Sequence, residues 1–67
     1  MSIAKVIELS TSSEKSFEDA IVQGLARASK TVENIRSAWV KEQRVEVENG
    51  RVKNFLVHMQ VTFILKE

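Results

Sequence analysis

Ten residues near the end of the chain, Phe55-Leu56-Val57-His58-Met59-Gln60-Val61-Thr62-Phe63-Ile64, constrain the fold most. Phe55, Val57, Met59, Val61 and Phe63 are apolar at every second position, the period at which a strand turns successive side chains to opposite faces. The alternate residues, Leu56, His58, Gln60, Thr62 and Ile64, are mixed in character. The stretch therefore reads as a strand with one face committed to a core and a second face whose surroundings decide what the protein does. Just upstream, Asn49-Gly50 separates two strand-like runs, a hairpin signal because a type I′ turn needs positive φ at both central residues. With those two as the loop, Val47 faces Val52, Arg44 faces Phe55, Val40 faces Met59, Trp39 faces Gln60 and Ala38 faces Val61. Ala38, Val40, Val57, Met59 and Val61 then share one face, and Trp39, Lys41, His58 and Gln60 the other. A slip by one residue would mix the two faces.

Upstream of the hairpin, Ile3 to Leu9 is a first strand candidate, with β-branched enrichment. Ser10-Thr11-Ser12-Ser13 offers several helix N-caps, and Thr11 with Glu14 has capping-box spacing. From Glu14 to Val32 the period becomes helical: Phe17, Ala20, Ile21, Gly24, Leu25, Ala28 and Val32 form one apolar stripe. Gly24 inside it costs about 1 kcal/mol of helix propensity relative to Ala, which a close helix–strand approach would justify. A second strand is expected from Ile35 to Val47.

The order is β-α-β-β, an α+β fold of residues 1–67 with a three-stranded antiparallel sheet in order 1-3-2 around one amphipathic helix. One helix covers one face. The opposite face is left with Trp39, Val45, Val47, Leu56 and Ile64 among polar residues, enough apolar surface to predict self-association. Length points the same way, since 67 residues bury a small core and such domains commonly gain stability by cross-linking, metals or oligomerisation. The chain has no cysteine and one histidine, which excludes disulfides, thiolate metal sites and a His-rich metal site within one copy. Ten basic and nine acidic residues are interleaved along it. That gives no footprint for nucleic acid or for a membrane surface. No apolar run approaches a membrane span, and Met1 to Lys5 lacks a signal-peptide core, so a cytoplasmic location is expected.

Taken together, Thr11-Ser12-Ser13-Glu14, Phe17-Glu18-Asp19-Ala20-Ile21, Leu25-Ala26-Arg27-Ala28, Val40-Lys41-Glu42-Gln43-Arg44 and Val61-Thr62-Phe63 resemble, in order and spacing over nearly the whole chain, a dodecin. The resemblance implies a hollow homododecamer built from trimers. It also implies a non-enzymatic flavin storage role, in which each flavin stacks on a Trp of the second strand and meets a Gln early in the third. This sequence departs at both places: Ser37 stands at the Trp position and Leu56 at the Gln position. Trp39 lies two residues beyond the first, a displacement of about 6–7 Å along a strand. The run Ile35 to Gln43 is more similar to the calcium dodecins, which implies a shell that binds calcium, magnesium or no ligand at its subunit contacts.

The candidate site residues thus read two ways. Trp39 is an interface anchor or a displaced platform for riboflavin, FMN or another small aromatic ligand. Gln60, beside it, is a polar interface residue or the ligand's hydrogen-bonding partner. Ser37 and Leu56 mark the altered family positions. His58 is solvated and hydrogen-bonded, or a metal ligand if symmetry gathers copies. Glu42 and Arg44 fall on the helix side in the hairpin register and suit an ion pair between subunits. Glu46 and Glu48 are a solvated turn or oxygen ligands around a symmetry axis. No catalytic arrangement is evident, and the serines at 10–13 are accounted for by capping.

Overall fold

The computed structural model describes residues 2–65. Met1, Lys66 and Glu67, the ends of the expected 1–67 domain, lie outside the described residues. Strand β1 (Ile3–Ser13), helix α1 (Phe17–Ala28), strand β2 (Ile35–Glu48) and strand β3 (Arg51–Leu65) follow in that order. They form one antiparallel sheet in the order β1-β3-β2, as the sequence predicts. Asn49 and Gly50 have φ of 53° and 74°, so the turn joining β2 to β3 has the positive values that only a primed turn requires. Asn34, at φ 62°, turns the chain into β2. Its carbonyl accepts the Ile64 N–H at 3.1 Å, which ties the entrance of β2 to the end of β3.

The helix packs on the face that carries Val57, Met59 and Val61. These side chains and Ala20 are the buried centre, flanked by Ile7, Leu9, Phe17, Ile21, Leu25, Ile35, Ala38 and Val40. The rings of Phe17 and Phe55 meet edge to face at 5.1 Å, an arrangement that aligns the positive ring edge with the negative face. Gly24 lies against β1: a Cβ there would collide with the Thr11 methyl group. The close approach that its place in the stripe requires is therefore present.

Three expectations are corrected. β1 runs on to Ser13, and the helix starts at Phe17 with Ser16 as its N-cap, the Ser16 Oγ accepting the Asp19 N–H at 2.9 Å. The serines at 10–13 belong to a strand and not to a cap; Ser13 accepts the Lys15 N–H at 2.9 Å and donates to Asp19 at 2.6 Å. At its other end the helix stops at Ala28, short of Val32, and a turn closes it with Val32 N–H bonded to the Ala28 carbonyl at 2.9 Å. The β-branched pair Thr31-Val32 and the positive φ of Asn34 leave no path for another helical turn.

The third correction concerns the hairpin register. Ala38–Val61, Trp39–Gln60, Val40–Met59 and Val47–Val52 pair as expected, but Arg44 pairs with Leu56 and Phe55 with Val45. Lys53 is an unmatched extra residue in β3 and Lys41 and Arg36 are extra residues in β2; the one at Arg36 shifts the start of β2, and the bulges at Lys41 and Lys53 cancel each other. Between them every residue of β2 moves to the other face. Glu42 and Arg44 therefore stand on the face away from the helix. Val45 pairs with Phe55 on the helix side, and Val47 shares that side by alternation. α1 packs on β1 and β3, so Val45 and Val47 stay exposed there, Val47 at 63%.

The chain spans 52 × 20 × 13 Å with a radius of gyration of 13.8 Å, against about 11 Å for a compact domain of this length. Its accessible surface is 5148 Å², against about 4,300 Å² for a folded monomer of this mass. The excess is sheet surface that the single helix leaves bare.

Candidate functional site: the outer face of the sheet

The face away from the helix is a set of rows running across β1, β3 and β2. In order they are Val6–Thr62–Ser37, Glu8–Gln60–Trp39, Ser10–His58–Glu42 and Ser12–Leu56–Arg44. Successive rows lie about 6–7 Å apart. The second row brings Trp39 and Gln60 side by side, as the sequence predicts. Ser37 lies one row away from them. Leu56 lies two rows off on the other side, about 20 Å from Ser37 along the strand direction. One copy therefore does not join Ser37 to Leu56.

Trp39 is 64% exposed, far more than a tryptophan that has found its full packing. One side of its ring carries the Lys41 ammonium, 5.6 Å from the ring centroid. Lys41 is two residues beyond Trp39 on the same face of β2, which places its ammonium within cation–π range of the indole. A flat ligand would stack on the other side of the indole or displace the lysine.

The third row carries most of the polar structure. Ser10 Oγ lies 2.9 Å from His58 Nδ1, and His58 Nε2 lies 3.3 Å from Glu8 Oε1. The hydrogen bond from His58 is the largest influence holding the Glu8 carboxyl below the usual carboxylate range, helped by the His58 charge, a Gln60 hydrogen bond and Lys41. Beside this chain lies a shallow depression of about 130 Å³, lined by Ser10, Glu42, Arg44, Leu56 and His58 among others. Drug-sized ligands occupy cavities of about 300–1,000 Å³. The depression holds a small polar group at most, and a three-ring ligand on this face needs a second wall.

Neither ion-site idea gains a cluster within one copy. Glu46 accepts a 2.9 Å hydrogen bond from Asn54 and Glu48 pairs with Lys53 at 3.1 Å, so each turn carboxylate has its own local partner. Among the described residues no three His, Asp or Glu side chains come together to hold a metal. Glu8 was not singled out from the sequence, and Ser10 was read there as a candidate helix cap. Their alternation with Ile7 and Leu9 marks the face, but nothing in the sequence sets the register of β1 on β3, because no short turn connects them.

What emerges is a small α+β unit whose sheet wraps one helix and whose opposite face, centred on an exposed tryptophan, is built for contact. Comparison with known proteins identifies the class: the dodecin family profile matches residues 3–66, and the chain belongs to that family. A dodecin of Thermus thermophilus is 38% identical over 65 residues, covering 97% of this chain and 94% of that protein. The calcium dodecin of Mycobacterium tuberculosis is 32% identical over 66 residues, covering 98% and 93%. Among solved structures, the dodecin from Streptomyces davaonensis superimposes with a TM-score of 0.94 at 30% identity, over 98% of this chain and 97% of that one. The M. tuberculosis calcium dodecin, described with a calcium-binding site, gives 0.82 at 31% identity, over 96% and 91%. No helix among the described residues is long and apolar enough to cross a membrane.

Proposed function

We propose that the chain assembles into a hollow homododecamer built from trimers and serves as a non-enzymatic binding and storage shell for a small aromatic ligand, with flavin (riboflavin or FMN) the first candidate. The observation that carries this reading is the exposed Trp39 beside Gln60 on a sheet face that the chain itself leaves open. Ser37 has no π-face, and Leu56 has no hydrogen-bonding group. A site of the family's usual geometry is therefore replaced by a displaced one, in which Trp39 supplies the stacking surface and Gln60 the polar partner. The second wall of the site comes from another copy, because the depression beside His58 on this face is shallow. Binding, rather than catalysis, fits the polar chain Ser10–His58–Glu8. Ser10 sits within a strand and not at the turn into a helix where backbone amides converge on an oxyanion.

A second reading is a dodecamer that holds calcium or magnesium, or no ligand, at its subunit contacts. It is supported by the loss of both usual flavin residues and by the similarity to a calcium dodecin. Its ion site would draw carboxylates from several copies.

Fluorescence titration of riboflavin and FMN with the protein separates the two. Saturable quenching that Trp39→Ala abolishes supports the displaced site. Absence of quenching at micromolar protein contradicts it and directs attention to calorimetric titration with calcium.

A further inference from the structure

Within one copy, nothing packs on the far end of the β2–β3 hairpin. Every residue from Lys41 to Lys53 is exposed, Val47 and Val52 at 63% and 48%. β1 ends opposite Phe55, so the last rungs, Glu46–Asn54, Val47–Val52 and Glu48–Arg51, join β2 and β3 alone. A two-stranded ribbon without cover is marginally stable in water, and such ends open at a small free-energy cost. At the tip Asn49 precedes Gly50, both exposed, and a side-chain carbon at position 50 would meet nothing within 4 Å. The chain's other asparagines are held differently. Asn34 Nδ2 donates to the Ile64 carbonyl at 3.4 Å, and β-branched Ile35 follows it. Asn54 Nδ2 donates to the Glu46 carboxylate at 2.9 Å, and Phe55 follows it.

We propose that Asn49 is a site of spontaneous deamidation, with water as the co-reactant, and that its rate is set by opening of the hairpin tip. A solvent base removes the Gly50 backbone proton. The Gly50 nitrogen attacks Asn49 Cγ and forms a C–N bond, while the side-chain nitrogen takes a proton from water and leaves as ammonia. The cyclic imide then takes up one water. Opening at the side-chain carbonyl gives aspartate, and opening at the backbone carbonyl gives isoaspartate. Glycine suits the closure because it sets no Cβ against the new ring, whereas Ile35 and Phe55 each set a bulky side chain there. The turn fixes Asn49 and Gly50 at φ 53° and 74°, so closure waits for the tip to open. Isoaspartate adds one carbon to the backbone path, which a two-residue turn cannot absorb, and the Val47–Val52 rung loses its register. Either product places a new negative charge next to Glu48, on a chain whose formal net charge is +1.

The test incubates the intact wild-type protein in mildly alkaline buffer beside the same protein unfolded in urea. Peptide mass spectrometry follows each asparagine, and labelling by an isoaspartyl methyltransferase separates isoaspartate from aspartate. In the folded protein Asn49 is expected to convert ahead of Asn34 and Asn54. Its rate should lie within about tenfold of the unfolded rate, because the tip opens at little cost. A folded rate slower than that overturns the proposal, as does conversion of Asn34 or Asn54 before Asn49. This comparison needs no variant. As a second measurement, Asn49→Gly keeps the positive φ that the turn requires and should accumulate no acidic species on ion exchange over the period in which wild type does. Equal accumulation in Asn49→Gly places the reaction elsewhere and overturns the assignment to Asn49.

Discussion

At the scale of single residues, the approach of Gly24 to Thr11 leaves no room for a side chain at position 24. Alanine at position 24 gains about 1 kcal/mol of helix propensity but must push the Thr11 methyl group aside. Overpacking of this kind costs about 1–3 kcal/mol, so Gly24→Ala should lower stability to chemical denaturation. Thr11 Oγ1 is buried without a hydrogen-bond partner. Thr11→Val removes that orphan and keeps the shape, and should raise stability by about 1 kcal/mol in the same assay. Glu8 makes a pH-dependent contribution. Its carboxyl is held below the usual range by His58 first, then by Gln60 and Lys41. A depressed carboxylate stabilises fully above its unfolded value of about 4.3 and ceases to do so as pH falls through its lower folded value. Melting temperature followed below pH 5 should therefore drop less steeply for Glu8→Gln than for wild type, and parallel curves would contradict the role given to Glu8. The sequence marked Gly24 as needing a close neighbour. It could not identify Thr11 as that neighbour, because the contact depends on where a helix lands on a strand.

At the scale of elements, the periodicities of β3 and α1 and the Asn-Gly turn were enough to read the strand order and the buried face. What they could not show was the pair of compensating bulges at Lys41 and Lys53. Each bulge is one extra residue, and a sequence pattern counts residues without showing which of them lack a partner. The register was legible at the turn and from Ser37 to Val40, while the stretch from Glu42 to Glu46 and the start of β2 at Ile35 were not. Arg44 and Glu42 consequently lie on the face away from the helix and line the depression beside His58. The helix start was illegible for a similar reason: four consecutive residues at 10–13 can each cap a helix, and tertiary pairing with β3 commits them to a strand. The cap itself is testable. Ser16→Ala should cost about 1 kcal/mol, whereas Ser12→Ala, exposed on the outer face, should cost close to nothing in thermal or denaturant unfolding.

At the scale of the whole molecule, the surface left bare dominates. Trp39, Val45, Val47 and Val52 are all exposed large apolar side chains, and they lie on two different sides of the long hairpin. Few side chains are fully buried within one copy, so if the proposed assembly covers the rest, folding and association should be linked. Trp39→Ala should shift the assembly toward smaller species at micromolar protein and make the melting temperature depend more strongly on concentration. A variant that remains equally large and equally heat-stable would show that the ring is free for a ligand and not an anchor between subunits.

The central claim is that this face is completed by copies of the same chain, and native mass tests it most directly. Twelve copies of a 7.6 kDa chain weigh about 91 kDa. Sedimentation or native mass spectrometry at micromolar concentration should give that single species. A stable, folded monomer of 7.6 kDa would contradict it, because the exposed outer face would then need no partner.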